Sequence, residues 1–284
     1  MQNVFVYAAL LVLFFCSCEK RVDIKLPYDG DKIVVNSLIQ PDSVIYIRVT
    51  RSVPSNVYDD NGFTEITNAA VTLEENGVVL TPLQWQEIKG HGYFVSTQKA
   101  ILGKQYTVRV AAAGMQPVMA TDTLPAAPDV SMAAAQRNSS RVRFTLKDRP
   151  DAADFYRIRI FAYGPDGQPD TLRLFRLDPS FNNNMVDFFT SGSNSSLIMN
   201  DARFNGKEVN FVLQTQDPIA NTTQLMVEVS TLTNDAYQYF KAVSAQERNG
   251  GTIITEPVRV FTNVSNGYGI VAGINTKRMT FKVE

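Results

Sequence analysis

Reactive side chains are scarce in this chain. It has 284 residues but only two cysteines, one histidine and one tryptophan. A Ser-His-Asp or Cys-His machine would have to use His91. That residue sits between glycines in KGHGYF, which reads as an exposed turn ahead of a strand, and no G-x-S-x-G elbow occurs elsewhere. Cys16 and Cys18 are too close together to staple anything as a disulfide, since the entropic gain scales with loop length. A zinc site would need more ligands than they and one distant histidine offer. The formal net charge of −1 gives no bulk attraction for nucleic acid or for an acidic membrane surface. After residue 20 no run approaches the roughly 18 apolar residues that cross a bilayer. The expectation is a protein without catalytic chemistry, metal or dissociable cofactor, and with no nucleic-acid partner.

The cysteines lie at the end of a feature with a clear physical meaning. Val4 to Phe15 is apolar, too short to span a membrane, and fits the core of a secretory signal. Phe15-Cys16-Ser17 ahead of Cys18 then reads as a lipobox, with small residues at the cut and a thiol to take the diacylglyceryl group. An ordinary cleaved signal is the alternative. On the lipobox reading residues 1–17 are the signal peptide, Cys18 becomes the acylated first residue, and 18–31 form a tether. Each buried methylene contributes about 0.8 kcal/mol, so two or three acyl chains hold such a protein on a membrane.

The body, 44% hydrophobic and 19% charged, has the composition of a folded domain and reads as strands and turns. In SVIYIRVTRSV, Ile45, Ile47 and Val49 alternate with Val44, Tyr46 and Arg48. Asn76-Gly77 between two β-rich runs is a hairpin signal. Tyr106, Val108 and Val110 alternate with Thr107 and Arg109. This density of strands predicts an immunoglobulin-like β-sandwich over 32–126. DTLPAAPDV, with Pro125 and Pro128, reads as a linker or sharp crossover into a second β-rich domain, 127–284. That region has one helical segment near 234–247, capped by Thr233 or Asn234 and stopped by Gly250-Gly251, with Ala236, Phe240 and Val243 at helical spacing. Two more strand candidates close the chain, the last in MTFKV.

Several stretches carry candidate chemistry. Asp59-Asp60-Asn61-Gly62 lacks the alternating acids and distal Glu of an EF-hand. Asp148, Asp151 and Asp154 are spaced close enough to share a cation on a loop, although a polar turn is the favoured reading. Arg141 and Arg143 lie opposite Val142, Phe144 and Leu146; Arg157 and Arg159 lie opposite Tyr156, Ile158 and Ile160; Arg173 alternates with Leu172 and Leu174. Were these strands neighbours, five guanidiniums would share one sheet face. Such a face is either solvated and screened by nearby acids or a dock for an acidic partner, because arginine forks match carboxylate and phosphate. In the 178–200 segment, Phe181, Phe188 and Phe189 among asparagines and serines fit a sugar or protein platform, or an irregular hairpin with its rings in the core.

KLPYDGDKIVVNSLIQPDSVIYIRVTRSVP, NAAVTLEENG, GKQYTVRVAAAGMQPVMATDTLP, DAADFYRIRI and EPVRVFTNVSNGYGIVAG, in this order, resemble the Bacteroidota lipoprotein family catalogued as domain of unknown function 4249. The resemblance covers most of the chain after Cys18. It implies an outer-membrane lipoprotein that works beside a TonB-dependent transporter importing polymers or peptides, and it brings no catalytic residues. A stand-alone structural or adhesive envelope protein is the competing expectation. The membrane face stays open: exported lipoproteins of these bacteria carry acids after the acylated cysteine, and here Arg21 interrupts Glu19-Lys20-Arg21-Val22-Asp23.

Overall fold

The computed structural model describes residue 28 and residues 30–54, 63–150, 152–178, 180, 193–220, 222–249 and 259–284. Cys18, Asp59, Asp60, Asn61, Gly62, Asp151, Phe181, Phe188 and Phe189 lie outside the described residues.

The chain is mainly β. Its first half contributes β1 (Ile33–Ile39), β2 (Val44–Arg51), β3 (Ala70–Glu75), β4 (Val78–Leu80), β5 (Leu83–Ile88), β6 (His91–Lys99), β7 (Gln105–Ala111) and β8 (Val118–Thr123). Its second half contributes β9 (Asp129–Ala135), β10 (Arg141–Lys147), β11 (Phe155–Tyr163), β12 (Pro169–Leu172), β13 (Phe175–Leu177), β14 (Leu197–Asn200), β15 (Glu208–Thr215), β16 (Gln224–Leu232), the helix α1 (Asn234–Asn249) and β17 (Tyr268–Lys282). One nine-stranded sheet runs β12-β11-β16-β17-β1-β2-β6-β5, with β14 also pairing β11. Two four-stranded sheets, β4-β3-β7-β8 and β13-β15-β10-β9, complete the fold.

The alternations read from the sequence set the register. Ile45, Ile47 and Val49 are buried and Tyr46 is exposed. Asn76 and Gly77 take φ values of +47° and +81° between β3 and β4, as a two-residue turn demands. Tyr106, on β7, is fully buried; its hydroxyl accepts the Ile101 amide at 2.8 Å and donates to Glu75, a tie of the kind immunoglobulin-like sandwiches make. Ile33, Val35, Ile47, Leu73, Val108 and Ala120 fill the core between the first four-stranded sheet and its half of the large sheet. A second core, around Phe144, Tyr156, Ile158, Phe211 and Val227, lies between the other four-stranded sheet and the other half.

β17 serves both halves. In place of two short closing strands, it is one 15-residue strand that pairs in parallel with β1 over residues 268–273 and antiparallel with β16 over 274–282. Val271 packs in the first core and Met279 and Phe281 against the second, so both small sheets lie on one face of the large sheet. Ile270, Ala272 and Ile274 point the other way, into a third cluster with Leu232, Ala236 and Tyr237 of the α1 region. Thr233 caps α1, its hydroxyl accepting the Ala236 amide at 3.3 Å.

The proline-bearing segment crosses over β17 at the join. A Cβ on Gly273 would lie 1.9 Å from the Thr123 carbonyl oxygen, so only glycine lets the chain pass there. Asp122 accepts the Gly273 amide at 3.0 Å and the Thr233 hydroxyl at 2.5 Å, and Asn275 donates to the Pro125 carbonyl at 2.9 Å. Burial pushes the Asp122 carboxyl above its usual range. Among the described residues no helix is long and apolar enough to cross a membrane.

Candidate functional site

The five arginines singled out by alternation do not share a face. β10 pairs with β9 and β15, whereas β11 pairs with β12, β14 and β16. The two strands belong to opposed sheets whose inner side chains, Phe144 and Tyr156 among them, meet in one core. Arg141 and Arg143 therefore point outward on one side of this sandwich, and Arg157 and Arg159 on the other. Arg173 corrects the expectation in a second way. Leu172 and Leu174 are 38% and 43% exposed, while Arg173 turns inward and donates to Thr222 Oγ1 at 2.8 Å. Phe175 takes the core position two residues later, so the odd-numbered residues face in.

On the β10 side, Arg141 Nε donates to the buried Asp178 at 2.8 Å. Burial pushes the Asp178 carboxyl up, but Arg141 and the Ser180 amide outweigh it and hold the group below its usual range. Cross-strand register through Gln214 brings in Arg176 of β13, which the sequence reading missed; it donates twice to Gln214 Oε1, at 3.0 and 2.8 Å. Shallow depressions flank Arg143. The larger, of about 390 Å³, is lined by Met132, Thr145, Asn210 and Val212; the smaller, of about 160 Å³, by Gln136, Ser139 and Glu284. Thr145, Asn210, Gln136 and Ser139 add hydrogen-bonding groups around Arg143, while Met132 and Val212 make the larger depression partly apolar.

On the β11 side the register sets two rows across three strands. Arg157, Ser230 and Thr276 form one; Arg159, Glu228 and Arg278 form the next. Glu228 is only 3% exposed and is held from both sides, by Arg159 Nε at 2.8 Å and Arg278 Nε at 2.9 Å. Ser230 and Thr276 join their hydroxyls at 2.8 Å. Arg157 lies under α1 with its guanidinium carbon 4.2 Å from the Phe240 ring centroid. Burial, with the neighbouring Arg159, pulls the Arg157 guanidinium down to about 10. Glu228 and Arg278 were not singled out in the sequence, although a lone acid inside the apolar run QLMVEVSTL signals a buried partner.

The acidic cluster also differs from expectation. Asp148 and Asp154 converge with Asp201, brought in from the end of β14, and one oxygen of each lies within 4.8 Å of the others. All three are buried, and each could offer an oxygen to a cation. They are also tied internally. Asp154 pairs with Arg149 through two bonds, Asp201 Oδ2 accepts the Asp154 amide at 2.9 Å, and Asp148 accepts from Tyr156 Oη at 2.6 Å and the Gly206 amide at 2.8 Å. Burial raises both the Asp148 carboxyl and the Tyr156 phenol. Tyr156→Phe leaves a buried carboxylate oxygen without its donor and is expected to cost about 1–3 kcal/mol, measured by urea denaturation. His91, at the start of β6, is exposed, with Nδ1 3.1 Å from Arg48 Nη2 and 3.9 Å from Glu65.

A model of the family described as domain of unknown function (DUF4249) matches residues 19–280, nearly the whole chain. The chain belongs to DUF4249. That span takes in both sandwiches and α1, so the arginine rows and the carboxylate cluster all lie within the DUF4249 region. No curated protein matches the DUF4249 chain. Among solved structures, it is similar to the Yersinia pseudotuberculosis adhesin InvE at 13% identity and a TM-score of 0.23, over 71% of this chain and 55% of that one. The DUF4249 chain thus spans about half of that adhesin structure.

Proposed function

We propose that this protein is a Bacteroidota outer-membrane lipoprotein, acylated on Cys18, that acts without catalysis as an accessory or ligand-binding subunit of a TonB-dependent transporter system. The observation that carries the reading is the N-terminus. Both cysteines of the chain fall at the end of one apolar run, in a lipobox arrangement that leaves the folded body without a thiol. An anchored sandwich with outward arginines is suited to binding rather than to turnover. Arg141, Arg143 and Arg176 bring positive charge to one outer side, which suits the acidic surface of a transporter loop or of a polymer or peptide ligand. Confinement to the membrane raises the effective concentration of such a partner, so modest contacts suffice.

Metabolic labelling with a palmitate analogue tests the anchor. Wild type is expected to carry the label and fractionate with the outer membrane, and Cys18→Ser to lose both. Label retained in Cys18→Ser would sink the reading. Extraction in mild detergent tests the partner: a transporter barrel should copurify, whereas isolation of the lipoprotein alone would favour a stand-alone structural or adhesive role.

A further inference from the structure

Among the described residues, two rows on the outer face of β11, β16 and β17, beside α1, hold more positive charge than acid. They contain three guanidiniums, of Arg157, Arg159 and Arg278, against the single carboxylate of Glu228. Glu228 is already engaged by Arg159 and Arg278, one on each oxygen. Arg157 is 9% exposed, and its Nε hydrogen is buried without an acceptor among the described residues. It packs on the face of Phe240, which attracts the cation but accepts no conventional hydrogen bond. A buried Nε–H in this condition loses hydration without recovering it from a protein acceptor. Thr276 and the fully buried Ser230 stand beside it in the same row and share one hydrogen bond; when Ser230 donates it, the Thr276 hydroxyl keeps a proton to give.

We infer that this row is a binding site for a phosphate group, with Arg157 as the buried anchor beneath α1. The excess of two positive charges matches a phosphate dianion better than a single carboxylate. Thr276 and the arginines are donors, as a phosphate with several acceptor oxygens requires. Arg278, at the exposed rim, supplies the outer positive charge. The inference stands on these side chains and needs neither the lipid anchor nor a transporter partner.

The test measures thermal unfolding of the purified protein with inorganic phosphate, with glycerol phosphate and with phosphatidylglycerol vesicles, against acetate and chloride at equal ionic strength. Phosphate at about 100-fold excess over its Kd is expected to raise Tm by about 5 °C in wild type. In Arg157→Met, which keeps the apolar stem, that shift should disappear. Arg278→Gln, at the solvent-facing rim, provides the same reading through a several-fold weaker response should Arg157→Met not fold. A response to the two soluble phosphates identifies a soluble ligand; a response to vesicles alone identifies a lipid headgroup; both uphold the site provided the variants lose it. No shift in any arm, or an equal shift in wild type and both variants, overturns it.

Discussion

Glu228→Gln is expected to destabilise the protein by about 3 kcal/mol, seen as a Tm lowered by several degrees. Glu228 is the single acid in two rows that hold three guanidiniums, and it is almost fully buried between Arg159 and Arg278. Glutamine keeps the shape and one acceptor but removes the charge that offsets its neighbours. Breaking a buried pair by removing one member costs about 3–5 kcal/mol, and the half-exposed Arg278 places this case at the lower end because water screens part of its charge. The electrostatic origin can be isolated. Arg157→Met in the Glu228→Gln background should restore part of the loss, because the crowding falls from three cations to two, and the coupling should exceed about 0.5 kcal/mol. Equal stability of Glu228→Gln and wild type would mean that the arginines are hydrated independently.

Gly273→Ala should be worse, at about 4 kcal/mol or more, or yield no folded protein. The new Cβ would meet the Thr123 carbonyl oxygen at 1.9 Å and the Leu124 Cα at 3.1 Å. These are backbone atoms that cannot rotate away. The same position donates its amide to Asp122, so a shift of β17 to relieve the clash would also break that bond. Gly103→Ala is the control. It has φ +75° but nothing within 4 Å of its added carbon, so only the left-handed backbone penalty of about 1 kcal/mol applies. Comparable denaturation midpoints for the two variants would show that the crossover can be displaced without penalty.

Local chemistry was legible in the sequence where one short stretch decides the outcome. Asn76-Gly77 dictates a turn because both residues tolerate positive φ. The alternation of Ile45, Ile47 and Val49 fixes which side of β2 is buried, and Thr233 begins α1 because its side chain meets a helix amide. Partnership between distant strands was not legible. RVRFTLK and FYRIRIF alternate in the same way, so the pattern identifies two strands with one polar side each. Nothing in it says that they belong to opposed sheets and present their arginines in opposite directions. Arg173 was misplaced because two leucines outweigh one arginine in a local reading, while the side of the chain is decided by Phe175. The Asp148–Asp154 pair was visible, but Asp201 arrives through the pairing of β14 with β11. Glu228 and Arg278 meet because β16 and β17 are neighbours, a fact of topology that no local pattern encodes.

Val34 pairs with Tyr268, which lies far along the sequence from it. A growing chain leaves the ribosome with one side of β1 unsatisfied and apolar, and it stays so until β17 has been translated. Such long-range closure slows folding and exposes sticky intermediates. Premature termination ahead of Tyr268 would not release a usable N-terminal fragment: both sandwiches would lack the same wall. The two sandwiches are thus completed together, when β17 arrives, rather than piece by piece.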